Sequence, residues 1–144
     1  MPVALTSSAA VASSTALSAL LPQVRSFAQF AQVCHWRVTG NLFGILHPML
    51  GELYAALVTY ADEVAERIAQ LHAEVPPHVS MPVAFAPTDG AAIARDCGKL
   101  AQQFGSRAYE AMRALEGNDR VFLAKLEELQ GTIEKIVWQI EQHG

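Results

Sequence analysis

The stretch "LHPMLGELYAALVTYADEVAERIAQL", residues 46–71, decides the fold. Leu46, Leu50, Leu53, Leu57, Tyr60, Val64, Ile68 and Leu71 recur at steps of three and four. That spacing lays them along one stripe of a helix of about seven turns. Pro48 is tolerable if the helix starts near Leu46, because first-turn amides have no intrahelical partner. At about 100° per residue, Asp62 and Glu66 stand almost opposite the stripe. Their neighbours there are Gly51, Ala55, Val58, Thr59 and Ala69, small or apolar where a wetted face would carry Lys, Glu and Gln. One face of the helix serves its own bundle, and the other expects a second subunit.

The same period continues outward in both directions. Before it, Leu17, Leu20, Val24, Phe27, Ala31 and Cys34 mark a helix from about Thr15 to Val38, with Pro22 as its start or a bend and Gly40-Asn41 as the stop. After it, "EVPPHVSMPVAFAPTDG" holds four prolines and reads as a long connection without an obvious short amphipathic helix. Thr88 or Asp89 then caps a third helix carrying Ile93, Cys97, Leu100, Phe104, Ala108, Ala111 and Leu115. "EGND" breaks the chain, and Phe122, Leu126, Leu129, Ile133, Ile136 and Ile140 mark a fourth. With no strand-like alternation, the expectation is all-α: two helical hairpins joined by a long crossover, a ferritin-like four-helix bundle.

At 144 residues the chain can bury a full core, and 17% charge against 51% apolar residues excludes a disordered polymer. No apolar run approaches the roughly 18 residues of a membrane span. The opening residues lack the basic start of a signal peptide, so 1–14 read as a flexible arm, 15–144 as the bundle, and the location as cytoplasmic. A net charge of −4, with no Lys or Arg in the first 24 residues, leaves DNA binding without support. Cys34 and Cys97 fall on apolar stripes and read as small buried hydrophobes.

Asp62 and Glu66, one turn apart, project from one ridge and can share a cation. Carboxylates on a packed face need a counter-charge, which a metal ion, Arg67 or a partner's arginine could supply. His47 precedes Asp62 by fifteen residues, about 22 Å along a straight helix, so one chain cannot bring the two to one ion. Two copies of this helix, antiparallel across a two-fold axis, could. His35 lies across a short turn from His47 and can converge with it. Two imidazoles from one subunit and two carboxylates from its mate suit Fe(II), with zinc or manganese as competitors. His72, His78 and His143 read as ordinary core or surface residues.

"HWRVTGNLFGILHPMLGELY" followed by "DEVAERIAQL" resembles the signature of the Dps family, the miniferritins (DNA-binding proteins from starved cells). The family pattern runs His-Trp-x-Val-x-Gly, Phe-x-x-Leu-His and Asp-x-x-Ala-Glu-Arg-Ile. Here it falls on His35, Trp36, Val38, Gly40, Phe43, Leu46, His47, Asp62, Ala65, Glu66, Arg67 and Ile68. "EKIVWQIEQ", residues 134–142, is similar to the family's last helix.

The resemblance implies a hollow homo-oligomeric shell, usually a dodecamer, with ferroxidase sites at its two-fold interfaces. There Fe(II) is oxidised, generally by hydrogen peroxide with oxygen as the other oxidant, and stored as ferric mineral. It assigns His35 and His47 to one subunit's half of the site and Asp62 and Glu66 to the other's. Trp36 would stack over the site and quench radicals, or serve as a core aromatic. The family's acidic iron-entry pores have candidates in Glu116, Asp119, Glu127 and Glu128, which otherwise read as solvated charges. Three departures stand out. Gly51 replaces a usual carboxylate one turn after His47, implying a weak second iron position and keeping open a shell or scaffold with reduced iron chemistry. The connection is proline-rich, and no basic tail supports DNA condensation.

Overall fold

The computed structural model describes residues 5–77 and 88–144. The described residues form four helices: α1 (Ser7–Arg37), α2 (Phe43–Gln70), α3 (Gly90–Glu116) and α4 (Arg120–Glu141). Helix α1 packs on α2 and α3, and α4 packs on the same two, so α1 and α4 face each other diagonally. The stripes meet at the centre. Leu46, Leu50, Leu53, Leu57, Tyr60, Val64 and Ile68 of α2 are fully buried against Leu17, Val24, Ala31, Ile93, Cys97, Leu115, Leu126 and Ile140. The expected all-α, ferritin-like bundle is the observed one.

The crossover follows from where the helix ends lie. Thr39, in the α1–α2 turn, forms an isolated parallel bridge with Asp89, and its N–H donates to the Thr88 carbonyl at 3.1 Å. Helix α3 therefore begins at the end of the bundle where α2 also begins. The chain must return along the full length of α2, about 42 Å at helical rise, before α3 can start. Most of that proline-rich connection, His78 included, lies outside the described residues.

Helix α1 starts earlier than its stripe suggests. Thr6 caps it, accepting from the Ala9 N–H at 3.2 Å, and residues 7–14 form its first two turns. Ser13 and Ser14 are buried there, which an apolar periodicity cannot reveal. The helix runs on both sides of Pro22 instead of starting at it. Pro48 lies in the second turn of α2, because the helix begins at Phe43; the carbonyl its missing N–H leaves unpaired belongs to the exposed Gly44. Asp89 is the cap of α3, its carboxylate accepting from the Ala92 N–H. Both cysteines are free and buried, and burial pushes the Cys34 thiol up to about 12 and the Cys97 thiol up as well. Neither is a thiolate at physiological pH.

A polar thread crosses this core. The buried Tyr60 hydroxyl donates to Gln130 Oε1 at 2.9 Å, and Gln130 Nε2 donates to Glu134, which also accepts from the Tyr109 hydroxyl at 2.8 Å. Burial holds the Tyr60 phenol neutral by pushing its pKa up. Tyr60→Phe leaves a buried acceptor unpaired and should cost about 1–3 kcal/mol in urea unfolding. Gln130→Leu paired with Tyr60→Phe should cost less than the two single changes together, because no orphaned partner remains.

Asp119 is not a solvated charge. It is fully buried, caps α4 through the Phe122 N–H, and grips Arg67 with both oxygens, Nε–Oδ2 at 2.9 Å and Nη2–Oδ1 at 2.7 Å. Arg67 also donates to Gln70 and lies over the Phe122 ring. Glu116, Glu127 and Glu128 are exposed.

Candidate metal centre

The turn at residues 38–42 brings the two histidines together. Val38 ends α1 with its N–H on the Cys34 carbonyl, and Gly40 takes a left-handed φ of 88° that only glycine adopts without strain. His35, in the last turn of α1, and His47, one turn into α2, then stack with ring centroids 3.9 Å apart and planes 14° from parallel. Each ring is bonded to the other's backbone. His35 Nδ1 lies 2.6 Å from the His47 carbonyl oxygen, and His47 Nδ1 lies 2.7 Å from the His35 carbonyl oxygen.

A carbonyl only accepts, so both Nδ1 atoms carry the proton. In the neutral form of each ring the lone pair then falls on Nε2, the nitrogen a metal ion would take. Fixing the tautomer through the other nitrogen is how ligating histidines are commonly oriented. Phe43 continues the stack on His47, centroid to centroid 4.7 Å. On the far side, His35 rests against Gly51: a Cβ there would meet the ring's Cε1 at 3.0 Å and its Nδ1 at 3.1 Å.

Asp62 and Glu66 sit far down α2 on its outward face, both exposed in the single chain, as are Ala55, Val58, Thr59 and Ala69. Among the described residues neither carboxylate has a hydrogen bond or ion pair. Arg67, one of the counter-charges open to them, is held by Asp119. A recess of about 590 Å³ opens beside Asp62, walled by Leu21, Arg25, Ala65 and Val75. The structure thus brings His35 to His47 and leaves Asp62 and Glu66 apart from them. Among the described residues, no group of three or more His, Cys, Asp or Glu gathers closely enough in one chain to hold a metal ion.

Large apolar side chains stand in the open near the histidines. Trp36 is 65% exposed, Ile45 47% and Phe43 44%. Trp36 is therefore not a core aromatic. It stands exposed next to His35 in the last turn of α1.

Comparison with known folds gives this arrangement a context. No protein-family model and no curated protein matches the chain. Solved structures do. Dps from Mycobacterium smegmatis superposes with a TM-score of 0.90 at 22% identity, over 98% of this chain and 90% of that one. The chain has the Dps fold. Dps from Microbacterium arborescens in the high iron form matches with a TM-score of 0.83 at 21% identity, covering 94% of this chain and 93% of that one. The Dps protein of Vibrio cholerae O1, described as a member of a broad superfamily of ferritin-like diiron-carboxylate proteins, matches at 0.83 and 22%, over 96% and 92%. No described helix is long and apolar enough to cross a membrane.

Sequence reasoning missed two participants. Phe43 was visible only as a family match, and its stacking role depends on where α2 begins. Gly51 was visible only as a missing carboxylate. Its contact with His35 joins two helices and leaves no local pattern.

Proposed function

We propose that this chain is an iron-handling miniferritin: it oxidises Fe(II) at sites shared across two-fold interfaces and stores ferric mineral inside a homo-oligomeric shell, a dodecamer in the cytoplasm. The observation that carries this reading is the reciprocal histidine pair. Two half-buried rings, each held through Nδ1 on the other's backbone carbonyl, leave Nε2 as the nitrogen for a metal ion and supply half of a metal site. The unpaired Asp62 and Glu66 on the same helix are the other half, supplied by the facing subunit. Mixed imidazole and carboxylate ligands suit Fe(II), with zinc or manganese as competitors.

Iron is the substrate here. Its electrons pass to hydrogen peroxide, two Fe(II) for each peroxide, which takes up two protons and leaves as two waters; oxygen is the alternative oxidant. The protein supplies ligands, their orientation and an enclosed space. DNA condensation is no part of the proposal, since the charge of −4 offers phosphates little. A second reading, a Dps-like shell or scaffold with weakened iron oxidation, draws on Gly51, which brings no carboxylate to the histidine half.

Loading the protein anaerobically with Fe(II), adding peroxide and following ferric absorbance separates the two. His47→Ala and Asp62→Ala should each slow oxidation at least ~10- to 100-fold, since even outer ligand partners cost that much. Wild type no faster than either variant would sink the enzyme reading and leave the scaffold. Light scattering giving a lone chain would remove the shared site.

A further inference from the structure

The proposed metal site uses neither cysteine, yet both are buried where α1 packs on α3. The two helices run antiparallel, since α1 ends at the end of the bundle where α3 begins. Phe27 of α1 meets Phe104 of α3 across their contact, ring centroids 5.7 Å apart. Seven residues make about two turns, roughly 10.5 Å of rise, and return a helix to nearly the same face. Seven residues on from Phe27 is Cys34, and seven back from Phe104 is Cys97. The antiparallel register therefore sets the two thiols opposite each other, between the aromatic pair on one side and the Thr39–Thr88 hydrogen bond on the other. The Cys97 thiol is pushed up by burial first and then by the nearness of Cys34. Ala31, Ala94 and Ala101, each one turn from a cysteine, bring little bulk between the two backbones.

We propose that Cys34 and Cys97 are a disulfide-forming pair, closed by hydrogen peroxide, that ties the last turn of α1 to α3. The reaction balances with peroxide as the two-electron oxidant. One sulfur attacks a peroxide oxygen and the O–O bond breaks; the sulfur keeps one oxygen as a sulfenic acid, and the other leaves with the thiol's proton as water. The facing sulfur then attacks the sulfenic sulfur, the S–S bond forms, and the hydroxyl leaves with the second thiol's proton as another water. Burial makes the first step slow, so the pair answers sustained peroxide and not a brief pulse. The second step is intramolecular and fast, because the sulfurs already face each other. Closure holds the turn that carries His35 against α3. The pairing stands on packing alone; that the protein meets peroxide rests on the iron reading above.

Peptide mapping tests the pair. The protein, without iron, is exposed to hydrogen peroxide, unfolded in urea with an alkylating reagent, and digested with trypsin without reduction. Cleavage after Arg25, Arg37, Arg95 and Lys99 leaves one cysteine on peptide 26–37 and the other on peptide 96–99. We expect the two peptides joined, at their summed mass less two hydrogens, and parted again by dithiothreitol. Diamide, which oxidises thiol pairs directly, should give the same joined peptide. Both cysteines alkylated after both treatments, or a cross-link between chains on a non-reducing gel, overturns the pair. Closure by diamide and not by peroxide overturns the peroxide response and leaves the pairing.

Thermal unfolding reads the tie itself. Closing a loop of roughly 60 residues removes entropy from the unfolded chain, so oxidised protein should melt at least about 4 °C above reduced protein. Cys34→Ser and Cys97→Ser should each show no gap between oxidising and reducing conditions. Oxidised wild type that melts no higher than reduced, or a single variant that keeps the gap, overturns the tie. Neither measurement contains metal. Wild type that oxidises no iron therefore defeats the iron reading alone, and the joined peptide still decides the pair.

Discussion

Subunits carrying His47→Ala and subunits carrying Asp62→Ala, each unable to oxidise iron by itself, should recover about a quarter of wild-type activity when co-assembled in equal amounts. On the proposed arrangement each two-fold pair would carry two sites, each taking histidines from one chain and carboxylates from the other. A pair of identical variants has both sites broken. A mixed pair has one site broken twice and one site fully wild type. Random pairing makes about half of all pairs mixed, hence the quarter. The physical basis is the length of α2: His47 and Asp62 are about 22 Å apart on one rigid helix, and no rotamer closes that gap. Ferric absorbance after unfolding and refolding the two variants together is the measurement. No recovery above the separate variants would mean that the histidines and carboxylates serve different ions or none.

How much of this was legible beforehand depended on whether the cause was local. The four helices were, because each stripe repeats within itself; all eight apolar positions read on α2 are buried. The first two turns of α1 were not. Alanine forms helix readily, but alanine and serine draw no apolar stripe, so residues 7–14 read as an arm. His35 and His47 could be brought together on paper by the short turn between them. Which nitrogen each ring offers could not, since that depends on carbonyl groups placed by the packing of α1 on α2. The buried state of Asp119 is of the same kind, set by a partner on another helix. Phe43 lay in plain view, yet its stacking waits on α2 starting at 43 and not at 46.

Asp119 yields the largest expected loss of stability. Asp119→Ala removes a helix cap and strands the Arg67 guanidinium, whose side chain is only 11% exposed, between α2 and α4. Breaking a buried, bidentate pair from one side costs about 3–5 kcal/mol, and loss of a cap adds ~1 kcal/mol. Asp119→Asn keeps an oxygen for the Phe122 N–H but not the charge, and should fall between wild type and alanine. Arg67→Met with Asp119→Asn should lose less than the two single changes combined, since neither leaves an unmatched charge once both are gone. Urea unfolding at one fixed protein concentration measures this, because assembly itself adds to apparent stability. A loss under ~1 kcal/mol for Asp119→Ala would mean the pair is solvated in solution. Arg67 would then be free to turn toward Glu66, its neighbour on α2, and the exposed carboxylates would have a counter-charge within their own chain. The clamp therefore bears on the metal reading as well: while Asp119 holds Arg67, Asp62 and Glu66 must find their cation elsewhere.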